Sequence, residues 1–181
     1  MEDISLHILD VAENGIKAGA DLVKITVEEN TEADRLVVTI QDNGRGMDAD
    51  FLARVLDPFV TTRTTRKVGL GLSLFQQSAQ EAGGDLTIAS VPGVGTTVTA
   101  YMRHRHIDRK PLGDMVQTML TLIEGNPDCD FVYTHISDGK QYVLDTREIR
   151  CELEEIPMNH PEVTRLIREN LVSGLQGFSA E

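Results

Sequence analysis

Asp42-Asn43-Gly44-Arg45-Gly46 and, after a gap, Gly69-Leu70-Gly71-Leu72 are the two stretches that decide how this chain is read. Their order and their surroundings carry the information. Asp10, Asn14 and Lys17 lie before them, Phe59-Val60-Thr61-Thr62-Arg63 between them, and Gly93-Val94-Gly95-Thr96-Thr97 after them. Together, in this order, these strings read as a pocket for a purine nucleotide. Glycine lets a backbone approach a ligand closely and adopt dihedrals that other residues avoid.

The side chains around the glycines supply the chemistry. Asp10 and Asn14 are four residues apart, so on a helix they share a face, with Lys17 on the same side. An Asn amide oxygen is a hard ligand suited to Mg²⁺, which keeps several waters and takes other oxygens from phosphates. A carboxylate one turn away would orient or deprotonate a water, and Lys17 would meet a phosphate oxygen. Glu13 points elsewhere and is the weaker choice. Asp42 follows a strand and would accept from an exocyclic amine, which adenine offers and guanine does not. Gly69-Leu70-Gly71-Leu72 opens a helix whose free amides and positive dipole end favour phosphate. Thr96 would reach the base, directly or through water. Each feature has an ordinary alternative: a wet helix face, an Asn-Gly turn or a plain hairpin.

Periodicity supplies the frame. A helix is expected over 4–18, stopped by Gly19. Strands at 22–27 and 36–40 form a hairpin, and a short helix near 49–56 stops before Pro58. Residues 60–68, rich in Thr and Arg, read as a mobile loop. A helix over 70–82 ends at Gly83-Gly84. Strands at 86–90 and 97–103 flank a Pro92-Gly93 turn. The expectation is an α+β fold, a mixed or antiparallel sheet with helices on one face. The basic stretch 105–111 reads as a linker. A small C-terminal α/β unit over 112–181 would hold a helix (112–124), strands (131–137 and 141–145), and helices at 146–154 and 161–175.

Composition narrows the classes. At 181 residues the chain allows one ordinary domain plus a small second one. The formal charge of −12 argues against a general nucleic-acid surface. Arg63, Arg66 and Lys67 instead group beside the second glycine string, where an anion would lie. There is no apolar window of membrane-spanning length and no basic leader, and Cys129 and Cys151 read as reduced thiols, so a cytoplasmic protein is expected. His104 and His106 would share one face of a strand, without an evident third metal ligand.

The motif set resembles the ATP-binding domain of the GHKL superfamily, the Bergerat fold shared by gyrase B-type topoisomerases, the large heat-shock chaperone, sensor histidine kinases and mismatch-repair ATPases. Leu9–Ala20 resembles the N box, Asp42–Met47 the first glycine box, and Pro58–Arg63 the F box. Val68–Leu74 resembles the second glycine box and Gly93–Thr97 the third. The resemblance covers about residues 1–104. It implies a two-layer α/β sandwich that binds ATP and Mg²⁺. Asn14 would be the metal ligand, Lys17 a phosphate contact and Asp42 the adenine contact. Gly44, Gly46, Gly69 and Gly71 would shape the pocket, and Phe59 would sit in the lid over ATP. Met47, Thr62, Arg63, Leu70, Leu72, Thr96 and Thr97 fall within the same boxes and would line the nucleotide. Asp10 stands where hydrolysing members carry Glu, so slow turnover or none is expected. Neither a phosphoacceptor helix pair before the boxes nor a gyrase-type transducer after them is expected. The tail is similar to stand-alone ATP-binding proteins found with iron-hydrogenase and NADH-dehydrogenase-like subunits. A nucleotide-responsive regulatory module is therefore expected, the alternatives being a kinase acting on a separate protein, as the anti-sigma kinases do, and a slow ATPase driving a partner complex. A protein partner, including hydrogenase-type redox subunits, and a homodimer are compatible with this reading.

Overall fold

The computed structural model describes residues 3–57 and 70–178. Six strands form one sheet: β1 (Leu22–Asn30), β2 (Arg35–Asp42), β3 (Asp85–Val91), β4 (Gly95–Met102), β5 (Asp130–Ser137) and β6 (Lys140–Asp145). Their order is β3-β4-β2-β1-β5-β6. β5 runs parallel to β1, and every other pair is antiparallel, so the sheet is mixed. The helices are α1 (Ile4–Lys17), α2 (Ala49–Leu52), α3 (Leu70–Glu81), α4 (Met115–Gly125), α5 (Thr146–Leu153) and α6 (Pro161–Leu175). The expected mixed sheet with helices is thus observed. The helix expected over 49–56 is a single turn, and the loop expected over 60–68 lies outside the described residues.

Side chains alternate across a strand, so each register row puts one residue per strand on the same face. Ile25, Ile40, Val98, Ile88, Tyr133 and Leu144 occupy one such row. That face packs in a single core with Ile4 and Ile8 of α1, Phe75 of α3 and Met119 of α4. The neighbouring row faces the other way and reads Thr87, Thr99, Thr39, Thr26, Thr134 across five strands. Threonine suits that side because it is β-branched for the pleat and carries a hydroxyl for water.

The stretch 105–113 fastens the start of α1. Asp3, in the N-cap position, makes no side-chain cap. Instead the Ile4 and Ser5 N–H groups donate to the Pro111 and Leu112 carbonyls at 3.0 and 2.7 Å. The first amides of a helix need such partners. Gly113, at φ +86°, lets the chain turn beside Ser5. β5 and β6 then extend the same sheet from the β1 edge.

A second polar knot holds the two halves of that sheet together. The Glu29 carboxylate accepts from His104 Nε2 at 2.9 Å and His135 Nε2 at 2.8 Å, and His135 Nδ1 lies 2.8 Å from the Tyr133 hydroxyl. Burial alone would raise the Glu29 pKa, but the bonds from His135 and then His104 outweigh it and hold it below the usual glutamate value. Replacing Glu29 with Ala leaves a buried His135 N–H without its acceptor. The expected cost is about 2 kcal/mol of folding stability at pH 7, read by urea denaturation; a loss of a few tenths would show the knot to be ornamental.

Candidate functional site

The candidate site begins at the end of β2. Asp42 pairs in register with Thr96 on β4, and Thr96 with Ser90 on β3. All three lie in a row on the helix-covered face, where hydrophobic side chains give way to oxygen atoms. Asp42 Oδ1 accepts the Gly44 N–H at 2.9 Å, and the Thr96 backbone N–H also donates to this carboxylate. Burial nevertheless pushes the Asp42 pKa above the usual aspartate value. Gly15 of α1 faces it: a Cβ there would stand 2.7 Å from Asp42 Cβ. The bare helix backbone at Gly15 is what leaves the carboxylate its space.

Three of the motif strings meet around this row. The Arg45 N–H donates to Ala18 O, at the end of α1, at 2.9 Å, and Arg45 O accepts the Gly93 N–H at 2.7 Å. The Met47 N–H donates to Ser90 Oγ at 2.8 Å. Gly46 has φ +68° and its Cα packs on the Val91 carbonyl, while Gly95 packs on the Asp42 carbonyl. Any side chain at Gly46 or Gly95 would meet backbone, which cannot move aside. Asn43 serves the scaffold instead. Its Oδ1 accepts from Asp21 and Leu22 N–H, both at 3.0 Å, and fixes the start of β1.

The α1 face carries Asp10, Asn14 and Lys17 as expected. Asn14 is exposed and makes no side-chain hydrogen bond to the described residues. Lys17 Nζ lies 3.0 Å from Glu13 Oε2 in a solvent-facing pair, worth little to stability. The Asp10 carboxylate rests against Gly71 in the first turn of α3. The missing Cβ of Gly71 therefore accommodates Asp10 in the first instance. Gly44 is buried and Met47 half-buried, Leu72 packs against the core, and Leu70 is exposed. Thr97 differs from the expectation. It pairs with Gln41 and Ala89 in the row behind Thr96, so alternation puts it on the opposite face from Asp42. Phe59, Thr62, Arg63 and Gly69 lie outside the described residues.

These donors fit a nucleotide with its metal. An amide oxygen and a carboxylate one turn apart suit a Mg²⁺ that keeps waters and phosphate oxygens as its other ligands. Among the described residues no three His, Cys, Asp or Glu side chains form a metal group by themselves. His104 and His106 do not form a metal pair: His104 bonds Glu29, and His106 lies near Asp108 after the strand has ended. A cleft of about 470 Å³ opens elsewhere, at the Glu29 end of β1, beside His135, Met115 and Phe178. It is remote from Asp42, which lies beside Val23 at the other end of that strand.

The family model described as "Histidine kinase-, DNA gyrase B-, and HSP90-like ATPase" matches residues 2–106. The chain belongs to this family. Its ATP-binding part is homologous to those of histidine kinases. The signal transduction histidine-protein kinase AtoS of Escherichia coli K12 is 34% identical over 96 residues, which is 52% of this chain and 16% of that protein. The sensor protein kinase FleS of Pseudomonas aeruginosa is 40% identical over 95 residues, 52% of this chain and 23% of that protein. The chain spans less than a quarter of the length of these two kinases. In fold it is similar to the N-terminal domain of a DNA repair protein, at TM-score 0.57 and 17% identity, over 98% of this chain and 59% of that one. That likeness takes in β5 and β6 as well as the family-matched part. Membership in the family implies ATP binding.

Sequence reasoning missed Gly15, Asn43 and Ser90. Gly15 and Asn43 lie inside the motif strings, but what they do depends on contacts across the fold. Ser90 belongs to no string, and only its strand register with Thr96 reveals it.

Proposed function

We propose that this chain is a Mg²⁺-dependent ATP-binding module, of histidine-kinase type, that regulates a protein partner through nucleotide occupancy. The observation carrying this reading is the convergence of Asp42 and Thr96 on the sheet with Gly15 of α1, the residue after Asn14. Asp42 would accept from the adenine amine. Asn14 would hold the metal, which when bound would neutralise phosphate charge. Lys17 would leave Glu13 for a phosphate oxygen. Asp10 is shorter than glutamate and is engaged against Gly71, which favours slow turnover. The partner would be a second protein or complex contacting residues 112–178, hydrogenase-type redox subunits being the class named by the tail. A second reading, a kinase acting on a separate protein, is favoured by the histidine kinases among the relatives.

Labelled ATP separates these readings when incubated with the protein alone and with cell lysate. Little free phosphate and no labelled foreign band is the outcome expected for a regulatory module. A labelled foreign band would replace it with the kinase reading, and rapid phosphate release with an ATPase. Asn14→Ala is expected to weaken ATP binding about tenfold with Mg²⁺ present and hardly at all in EDTA, by calorimetry. An equal loss in both would remove Asn14 from the metal site.

A further inference from the structure

The cleft of about 470 Å³ at the Glu29 end of β1 takes no part in the nucleotide chemistry. Its size is that of a small-molecule pocket, roughly 300–1,000 Å³. Leu112, Met115, Val116, Leu175 and Phe178 give it an apolar lining. The Phe178 ring is set against His135, with centroids 4.9 Å apart, which fixes that part of the lining.

Arg109, Glu29 and Asp114 bring charge to the same lining. Arg109 is half-buried. Its Nε and Nη1 donate to the His104 and Lys110 carbonyls, and its Nη2 has no partner among the described residues. Although the chain carries a net charge of −12, no carboxylate among the described residues pairs with this guanidinium. Such a fork of N–H groups matches a carboxylate. On the acidic side, Asp114 gives one oxygen to the Gln117 N–H at 2.8 Å. The Glu29 carboxylate accepts one bond on each oxygen. A carboxylate offers about four acceptor positions, so both keep room for a further donor.

We infer that this cleft is a second ligand site, for an apolar α-amino acid. The ligand's carboxylate meets Arg109, its ammonium meets Asp114 and Glu29, and its side chain lies against Val116 and Phe178. A purely apolar ligand would leave the Arg109 guanidinium facing carbon. A simple anion would lie beside two carboxylates, and a simple cation beside the arginine. Both charges on one small molecule match the lining. The site also reaches α1 through the chain that precedes α4. Pro111 and Leu112 line the cleft, and their carbonyls hold the Ile4 and Ser5 N–H groups. The same helix carries Asn14 and Gly15. A ligand that steadies 109–114 therefore steadies α1, and by linkage ATP and the amino acid tighten each other by one factor. This coupling rests on the ATP reading above; the amino-acid site does not.

Calorimetry on the full chain without nucleotide tests the site, with L-leucine and L-phenylalanine as probes. At least one is expected to bind with a Kd near about 0.1 mM. The matching decarboxylated amine and deaminated acid are each expected to bind about tenfold more weakly. Arg109→Gln is expected to weaken the amino acid about tenfold and leave the amine unchanged, a split that a merely structural arginine would not produce. Should Arg109→Gln not fold, Val116→Phe narrows the cleft, leaves the Arg109 hydrogen bonds alone and is expected to block the amino acid. Saturating amino acid is expected to tighten ATP about fivefold. No binding of either amino acid, or equal binding of amino acid, amine and acid, overturns the site. Amino-acid binding with ATP affinity unchanged overturns the coupling. Amino-acid binding in a protein that does not bind ATP overturns the ATP reading and leaves the site standing.

Discussion

Asp42→Asn is expected to weaken ATP binding about a hundredfold, or nearly 3 kcal/mol. The substitution is nearly isosteric, and the amide oxygen of Asn can still accept the Gly44 N–H that Asp42 Oδ1 takes at 2.9 Å. The other oxygen becomes an NH₂ group. It would then face the Thr96 backbone N–H and the purine amine as donor against donor. The site is half-buried and Gly15 crowds it from α1, so the new group cannot turn away to water. Affinity should therefore fall while the fold persists. Calorimetry with ATP, paired with a thermal melt of each protein, checks this. An unchanged Kd would take Asp42 out of the base contact, whereas a collapsed melt would make the residue structural.

Periodicity is a local property, and it placed the local structure well. The apolar spacing of Ile8, Ala12 and Ile16 gives α1, Gly19 with φ +87° ends it, and Pro161 opens α6. What spacing does not encode is which strands pair over long separations. The parallel register of Leu22 with Asp130 joins segments more than a hundred residues apart. Nothing in the pattern of either strand states it, because a strand's alternation defines its faces and not its neighbour. The Glu29 knot was hidden for the same reason, since its two partners, His104 and His135, become adjacent only through β5 and the chain just past β4. At the site, the strings pointed to Asp42 and Asn14, which the fold carries at the end of β2 and on α1. The glycines were less transparent. Gly46, Gly71 and Gly95 each press on another part of the protein, on Val91, Asp10 and Asp42 respectively, so their first service is to let motif strings touch. Thr97 could not be separated from Thr96 until the strand register fixed which of the two faced Asp42.

Between pH 6.5 and 4 the protein is expected to lose about 3 kcal/mol of stability through His7 alone. This side chain is 1% exposed, stacks on Phe75 with ring centroids 4.9 Å apart, and neither ring nitrogen has a partner among the described residues. Burial, with a smaller push from Lys110, lowers its pKa from 6.5 to about 4. The sign follows from which state binds the proton. In the unfolded chain His7 charges as pH falls through 6.5; in the folded protein it stays neutral until about pH 4. The unfolded state therefore gains protons first, so the His7 contribution is intact above pH 6.5 and is progressively lost down to pH 4. Carboxylates such as Glu29 and Asp145, whose pKa values are lowered, give way only further into acid. His7→Leu keeps the volume approximately, raises the helix propensity slightly and removes the titrating group. Denaturation at pH 7 and pH 5 should show the wild type losing about 2 kcal/mol more than the variant; equal losses would mean that His7 finds a partner when protonated. The consequence reaches the site, because His7 lies one turn before Asp10 and Phe75 one turn after Gly71. The α1–α3 contact that acid loosens is the one that seats Asp10, so ATP affinity should fall with pH in the wild type and stay flatter in His7→Leu.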